Sequence, residues 1–260
     1  MGGEDKNKIK LSTLVSFLNK FLRIEDFGFD SSVNGLQVSG KDYIKRVVVS
    51  EDACLDVFNH ALEKKADLII VHHGLFWKNT DFRLTHNNYK RIKFLLENNI
   101  ALYAAHLPLD YHIKVGNNIM LLKLLNLKPV KRFGLVERVK IGFIGELKKR
   151  LKLKDFAKII NRKLLTESLI LNFGSETIKK VGVVSGSGSP FVQEAVDNNV
   201  DLFLTGDIST WVYHLAKENN MNIIAAGHYA TETLGVKALG NFLKRRFGLR
   251  VYFVDYPTGL

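Results

Sequence analysis

Two adjacent histidines follow a short apolar run, where a strand is expected to end. The run from Asp67 to Val71 is strand-sized, and His72 and His73 come directly after it. In open α/β sheets, ligands bind beyond the carboxyl ends of the strands. A lone histidine at such a place is more often a hydrogen-bonding surface residue. A pair of histidines, joined by similar residues at other strand ends, favours a metal site.

Two further strand-sized runs end in a histidine that is followed, four residues later, by a carboxylate. The first pair is His106 and Asp110, and the second is His228 and Glu232. If a helix begins near His228, the i, i+4 spacing places His228 and Glu232 on one face. Imidazoles with carboxylates form a mixed nitrogen and oxygen ligand set that suits Zn, Fe or Mn.

The candidate ligands are too many for one tetrahedral ion. Five of them suit two divalent metal ions about 3.5–4 Å apart, with one carboxylate as the bridge. The predicted ligands are His72, His73, Asp110, His228 and Glu232.

His106 has no clear place among these ligands. Two roles stay open for it: it orients Asp110 or a metal-bound water, or it relays a proton. Among the other four histidines, His60 and His214 are predicted to lie in helices. His86 and His112 are predicted to lie in loops. The helical pair is interpreted as structural, and His112 as a weak candidate for orienting Asp110.

Three other segments carry weaker signals. The glycine- and serine-rich segment from Ser185 to Pro190 suits either a phosphate-binding loop or a plain strand-to-helix turn. Asn34 and Gly35 indicate a turn that presents Gln37 or nothing. Phe76 and Trp77 stack on a base or simply cover their loop.

The chain contains two similar stretches. Each predicts an apolar strand, a turn, a helix of about three turns and a second strand that begins with Asp-Leu. At one constant offset, Asp67 aligns with Asp201, and the His72–His73 pair falls opposite Gly206 and Asp207. The pattern indicates an internal duplication of an α/β unit.

Alternating strands and helices predict parallel βαβ connections. We expect two similar α/β lobes, residues 1–128 and 129–260, that pack face to face. No proline- or serine-rich linker separates the two halves.

Composition excludes several classes of protein. Hydrophobic residues make up 46% of the 260 residues and charged residues 25%, which is typical of a folded globular chain. No apolar run reaches the roughly 18 residues of a membrane span, and residues 1–8 lack a signal-peptide pattern. The single cysteine, Cys54, excludes an intrachain disulfide. A reducing cytoplasm is the expected setting.

The net charge of +12 favours polyanions, nucleotides or other anionic small molecules as partners. Its densest cluster overlaps a predicted amphipathic helix, so a solvated helix face is the simpler interpretation, with nucleic acid binding as the alternative. The cluster, called the basic cluster below, comprises Lys148, Lys149, Arg150, Lys152, Lys154, Lys158, Arg162 and Lys163.

Several motifs together resemble the Nif-three-like family, whose members are often labelled type 2 GTP cyclohydrolase homologues. The resemblance runs in order from about Leu14 to Pro257. It is carried by His-His-Gly-Leu-Phe-Trp at residues 72–77, Asn-Gly-Leu-Gln-Val at 34–38, His-Leu-Pro-Leu-Asp at 106–110, Gly-Ser-Gly-Ser-Pro-Phe-Val at 186–192, Thr-Gly-Asp at 205–207 and Gly-His-Tyr-Ala-Thr-Glu at 227–232.

The resemblance implies two α/β lobes that together form a single family domain, with no inserted domain. It also implies that the lobes pack around a dinuclear metal centre held by the same five ligands. It also implies a toroidal homohexamer, and the chain resembles the short form of the family.

The expected function is a dinuclear metal-dependent hydrolase that acts on a nucleotide, with GTP ring opening as the specific case. Two metal ions lower the pKa of a bound water to about 7, which provides hydroxide at neutral pH. Glu232 would bridge the ions and His106 would relay a proton. Two alternatives remain: a metal-dependent phosphoester hydrolase, and a non-catalytic ring-shaped metal-binding adaptor for nucleic acid or protein.

Overall fold

A computed structural model describes residues 8–79 and 81–259. The charged residues 1–7, which bear on the signal-peptide interpretation, lie outside the described residues. The chain divides into two compact units. The first contains the described residues up to Leu109 together with Val236–Tyr256, and the second contains Asp110–Gly235 and the residues from Pro257 onwards.

The first unit is a five-stranded sheet with helices. Its elements in chain order are β1 Ile9–Lys10, α1 Leu11–Leu22, β2 Gly35–Val38, β3 Tyr43–Ile44, β4 Arg46–Asp52, α2 Leu55–Glu63, β5 Leu68–His73, α3 His86–Glu97, β6 Ala101–Ala104, the start of α4 Leu107–Tyr111, the end of α9 His228–Phe247, and β13 Arg250–Phe253.

The sheet of the first unit has the strand order β13-β4-β5-β6-β2. Strands β13, β4, β5 and β6 are parallel, and β2 closes one edge antiparallel to β6. Val47, Val48 and Val49 are buried in β4, as are Ile69 and Ile70 in β5. Such continuous β-branched runs favour strands that are covered on both faces.

The second unit is a six-stranded sheet with helices. Its elements are the end of α4, α5 Asn117–Leu124, β7 Lys128–Val136, β8 Val139–Lys152, α6 Leu153–Leu164, β9 Leu169–Asn172, β10 Thr177–Val183, α7 Val192–Asp197, β11 Leu202–Thr205, α8 Val212–Glu218, β12 Asn222–Ala225 and the start of α9.

The sheet of the second unit has the order β7-β8-β10-β11-β12-β9. Strands β10, β11 and β12 are parallel, and β9 closes one edge antiparallel to β12. The three parallel strands with a short antiparallel edge strand repeat the arrangement of β4, β5, β6 and β2 in the first unit. The α/β fold class expected from the sequence is confirmed.

The two units repeat each other down to individual hydrogen bonds. Asp67 Oδ2 accepts the backbone N–H groups of Lys45 and Arg46 at 2.9 and 3.0 Å. Asp201 Oδ2 accepts those of Lys179 and Lys180 at 2.8 and 2.9 Å. Asp67 lies just before β5 and binds the backbone at the start of β4. Asp201 lies just before β11 and binds the backbone of β10. The Asp-Leu pattern in the sequence therefore marks an aspartate that stabilises the fold by accepting backbone N–H groups, and not a metal ligand.

The helices that precede the repeated sheets correspond as well. The Leu11 N–H at the start of α1 donates to Asp42 O at 2.8 Å, and the Leu153 N–H at the start of α6 donates to Glu176 O at 2.9 Å. Both helices end in a left-handed residue, at Arg23 and Leu165. The duplicated segment is thus longer than the sequence comparison indicated.

The division of the chain differs from the predicted one between residues 128 and 129. Strand β13 pairs with β4, from Arg250 with Arg46 to Phe253 with Val49. This pairing assigns the end of α9 and β13 to the first unit. The unit boundaries fall inside α4 and α9, where no loop composition marks them.

Two elements differ from their predicted form. The helix of the second repeat, α7, has six residues instead of about three turns, because Pro190 starts a short 3₁₀ turn, Ser189–Phe191, ahead of it. Strand β8 extends to Lys152. Half of the basic cluster therefore lies on this strand instead of on helix α6, and all its side chains are exposed.

Among the described residues, no helix is long and apolar enough to cross a membrane.

Candidate metal centre

In the first unit, histidines lie at the carboxyl ends of two neighbouring strands, β5 and β6. His72 and His73 are the last residues of β5. His72 Nδ1 lies 2.9 Å from Ala105 O, and His73 Nδ1 lies 2.9 Å from Asp52 Oδ1. Because a carbonyl and a carboxylate can only accept, each Nδ1 carries the proton. The Nε2 atoms are then the ones available to a metal ion.

His106 follows β6 and is held in the same way. Its Nδ1 donates to Asp30 Oδ1 at 2.9 Å, and its backbone N–H donates to Asn34 Oδ1 at 2.7 Å. Burial by itself raises the pKa of Asp30, but the hydrogen bonds from His106, Asn34 and the Ser32 backbone, with the charge of His106, lower it below its usual value. Asp30 is therefore an ionised acceptor that fixes the His106 ring.

These three histidines form one cluster of nitrogen donors. Their ligand atoms, one from each of His72, His73 and His106, all lie within 4.8 Å of one another. Glu51, buried at the end of β4, has a carboxylate oxygen 3.6 Å from His73 Nδ1. His106, for which sequence offered no clear ligand position, thus lies beside the two predicted histidine ligands of the first unit.

The second unit holds the predicted His-x-x-x-carboxylate pair. Helix α9 begins at His228, as the spacing required, and His228 Nε2 lies 3.0 Å from Glu232 Oε2. On the other side of the ring, His228 Nδ1 donates to Asp207 Oδ2 at 2.6 Å. His228 therefore turns Nε2 towards the carboxylate of Glu232 and Nδ1 towards that of Asp207.

Asp110 belongs to the same unit and lies near Glu232. One carboxylate oxygen from each residue falls within 4.8 Å of the other. Asp110 Oδ1 accepts the Asn117 Nδ2 at 2.8 Å and the Ser185 hydroxyl at 3.1 Å. These donors set the plane of the carboxylate. Asp110, His228 and Glu232 form the oxygen-rich donor set of the second unit.

The segment from Ser185 to Pro190 braces these ligands. The Gly186 N–H donates to the Thr231 hydroxyl at 3.0 Å, and the Ser187 hydroxyl donates to Asp207 Oδ2 at 3.0 Å. Gly186 has φ +65°, and a Cβ there would stand 2.1 Å from Glu232 Oε1. Only glycine fits at this position. The segment is a strand-to-helix turn that positions Glu232.

Two weaker sequence signals of the first unit also have defined partners. Gln37 accepts the Leu75 N–H at 2.7 Å through Oε1, which ties β2 to the loop after the histidine pair. Trp77 lies beside the site, with its ring 5.8 Å from that of His73 and 5.0 Å from that of His106. Phe76 contacts Phe82 instead, at 6.1 Å.

The remaining histidines have other surroundings. His60 lies in α2 and His214 in α8, as predicted, whereas His86 begins α3 instead of lying in a loop. His112 Nδ1 accepts the backbone N–H groups of Lys114 and Val115, both at 3.2 Å. This nitrogen therefore caps a turn, and the orientation of Asp110 by His112 stays a prediction.

Sequence reasoning missed the acidic residues that hold the histidines. Asp30, Asp52 and Asp207 each accept from a histidine Nδ1, and Glu51 joins the donors of the first unit. The same strand-end argument, applied to β4, points to Glu51 and Asp52. No local pattern indicates Asp30, which lies 76 residues before His106.

Comparisons with known proteins identify the family of the chain. A family model for Duf34/NIF3 (NGG1p interacting factor 3) matches residues 9–258. The chain belongs to the Duf34/NIF3 family. Among curated relatives of this family, a "GTP cyclohydrolase 1 type 2 homolog" of Pyrococcus abyssi is 45% identical over 248 residues, which is 95% of this chain and 98% of the relative.

Solved structures of similar proteins share the fold. The structure of protein ybgI, described as of unknown function, has a TM-score of 0.92 at 33% identity and covers 97% of this chain and 100% of its own. A Thermus thermophilus protein has a TM-score of 0.89 at 39% identity, with the same coverage. The resemblance seen in the sequence motifs is confirmed.

Proposed function

We propose that this chain is a dinuclear metal-dependent hydrolase that acts on a nucleotide, with GTP cyclohydrolase-type ring opening as the specific reaction. The observation that carries the proposal is the common orientation of its histidines. Nδ1 of His72, His73 and His228 donates to a protein oxygen, which is how metal-binding histidines are held. The names of the curated relatives supply the cyclohydrolase reaction.

The proposed ligands of two divalent ions, of Zn, Fe or Mn, are the five residues expected from the sequence: His72, His73, Asp110, His228 and Glu232. Imidazole nitrogens with carboxylate oxygens suit these metals. When bound, two such ions lower the pKa of a water molecule to about 7 and so provide a nucleophile at neutral pH.

The proposed catalytic residues of the chain itself are Glu232 and His106. Glu232 would hold the metal ions, and its position is set by Gly186 and by the His228 contact at 3.0 Å. His106 moves a proton at Nε2, because Asp30 fixes its Nδ1–H at 2.9 Å and turns the opposite nitrogen towards His72 and His73. Proton transfer by a positioned imidazole contributes about 10²–10⁴-fold to a rate.

The test begins with metal analysis of the purified protein. Metal is then restored, and GTP turnover is followed by formate release, which reports ring opening, and by phosphate release, which reports phosphoester hydrolysis. We expect formate, and at least about 100-fold less of it from His106→Ala. His60→Ala, a surface histidine paired with Glu63, is the matched control. A metal-loaded protein that releases neither product contradicts the proposal.

A non-catalytic role is the second candidate, favoured by the exposed side chains of the basic cluster. In that case the chain is a metal-binding adaptor for nucleic acid. Its DNA affinity would fall steeply with salt concentration and would survive metal removal. The homohexamer and the cytoplasmic location inferred above stay predictions.

A further inference from the structure

The second unit carries an open cavity of about 620 Å³ that none of the proposed ligands lines. Its walls come from strand β9, from the loop after β11 and from the start of α8. The residues that define its character are Leu169, Leu171, Ser209, Trp211, Tyr213 and His214. Binding sites for small molecules commonly have volumes of about 300–1,000 Å³. The cavity is thus large enough for one heterocyclic ligand.

The chemistry of the walls is aromatic and uncharged. Trp211 is 52% exposed and Tyr213 44%. Tyr213 is steadied by an edge contact with Phe173, whose ring centre lies 5.2 Å away. None of the described lining residues is an aspartate, glutamate, lysine or arginine. Exposed rings with nearby hydroxyls suit a planar ring and not a phosphate.

Strand β9 presents one face to the cavity. Leu169 and Leu171 line it, while Ile170 and Asn172 face the other way, as the period of a strand requires. Leu169 is 55% exposed. A large apolar side chain at an open sheet edge, beside an exposed indole, leaves apolar surface that a bound ring would cover.

The cavity adjoins the donor set of the same unit. Leu169 pairs with Ala225 at the carboxyl end of β12, three residues before His228. On the other side, Ile208 lines the cavity and directly follows Asp207, which holds His228 Nδ1 at 2.6 Å. The carboxyl ends of parallel strands are where ligands of α/β sheets bind.

We propose that this cavity binds the planar heteroaromatic ring of the substrate, of the purine class, by stacking on Trp211. The proposal rests on the proposed function for the identity of the ligand. Ser209, Thr210 and His214 offer hydrogen-bonding groups for the edge of such a ring. The base end of the nucleotide is then recognised here, and its phosphates lie outside this uncharged cavity.

The test measures binding of guanosine, which has the ring but no phosphate, to metal-depleted protein by equilibrium dialysis. Loss of one aromatic stacking partner weakens binding about 5- to 150-fold. We therefore expect a Kd at least about fivefold higher for Trp211→Ala. Tyr89→Ala removes a comparably exposed aromatic ring outside the cavity and should leave the Kd unchanged. In a Trp77→Phe background, Trp211 is the single remaining tryptophan, and guanosine should quench its fluorescence.

A second variant guards against a folding defect. Leu169→Arg places a charge in the cavity from an exposed edge position and should also raise the Kd, with an unchanged melting temperature. Ribose 5-phosphate should not compete with guanosine. Competition by ribose 5-phosphate, or equal guanosine affinity in wild type and Trp211→Ala, overturns the proposal. Self-association that Leu169→Arg abolishes, with no guanosine binding, overturns it too and assigns the cavity to a contact between copies.

The two proposals fail separately. If guanosine binding depends on Trp211 but no nucleotide is turned over, the cavity assignment stands and the hydrolase does not. If GTP is turned over with the same KM in Trp211→Ala, the hydrolase stands and the cavity assignment is wrong.

Discussion

Removal of the Asp207 carboxylate should weaken metal binding at His228 without unfolding the protein. Asp207 Oδ2 accepts from His228 Nδ1 at 2.6 Å and from the Ser187 hydroxyl at 3.0 Å. Without this acceptor the imidazole of His228 can rotate about its side-chain bonds and present either nitrogen. The Asp207→Ala variant therefore loses the orientation of a proposed ligand, His228, while the side chain of His228 itself is kept.

The size of the effect follows from the exposure of the pair. A charge-assisted hydrogen bond contributes about 1.5–3 kcal/mol. The Asp207 side chain is 46% exposed, so water weakens the interaction and the lower end of this range applies. About 1.4 kcal/mol corresponds to a tenfold change in Kd. Partners that hold metal-binding histidines typically contribute about 10- to 100-fold in metal affinity, so we expect a loss near the lower of these values.

The assay is competition for Zn²⁺ with a chromogenic chelator near neutral pH, with thermal unfolding of the metal-free protein measured in parallel. Asp207→Asn keeps an oxygen acceptor without the charge and should lose less affinity than Asp207→Ala. Asp197→Ala is the matched control, since it removes an aspartate of the same unit whose carboxylate accepts from Gln193 Nε2 at 2.9 Å. A Zn²⁺ Kd indistinguishable from that of wild type in Asp207→Ala, or an equal loss in Asp197→Ala, would refute the reasoning.

Two further predictions concern the proposed metal ligands and the structural aspartate Asp67. His73→Ala and Glu232→Ala should each lose at least one metal per chain and still fold, and full metal content in both by elemental analysis would contradict the ligand assignment. Asp67→Ala should lower the free energy of unfolding by about 3 kcal/mol, because two backbone N–H groups lose a charged acceptor. Asp67→Asn keeps an oxygen there and should cost only about 1 kcal/mol. Burial alone would raise the pKa of Asp67, but hydrogen bonds from a lysine and two backbone N–H groups lower it below its usual value. Its stabilising effect is therefore complete above the unfolded-state pKa of about 3.9 and is lost as pH falls through the lower folded-state pKa. Urea unfolding at about pH 7 and about pH 3 should show that the free energy of unfolding falls more for wild type than for Asp67→Asn. Equal falls in the two proteins would argue against a stabilising Asp67 carboxylate.

Much of the local structure was predictable because it repeats along the chain. The alternation of apolar runs and helical segments indicated the parallel strands β4, β5 and β6 and their counterparts β10, β11 and β12. The i, i+4 spacing indicated that His228 and Glu232 share a helix face, and the structure has them 3.0 Å apart. These inferences succeeded because each depends on residues that are close in sequence.

Other features depended on contacts that no local pattern contains. The pairing of β13 with β4 joins residues from opposite ends of the chain and moves the boundary of the first unit. The cavity beside Trp211 exists because β9, a strand that precedes β10 in the chain, closes the far edge of the sheet next to β12. Strand order is set by which apolar faces pack together, and periodicity does not report it.

The amino-acid sequence by itself determined the kinds of donor atoms and their positions after strands, and so the metal chemistry that the chain can offer. Only the tertiary structure decided the orientation of those donors. Asp30 lies 76 residues before His106 and Asp207 lies 21 residues before His228, yet each is within hydrogen-bond distance of its histidine. A ring nitrogen is selected by the partner that the other nitrogen meets in the folded chain. That partner comes from a neighbouring strand or loop, so the tautomer of each histidine is a property of the fold.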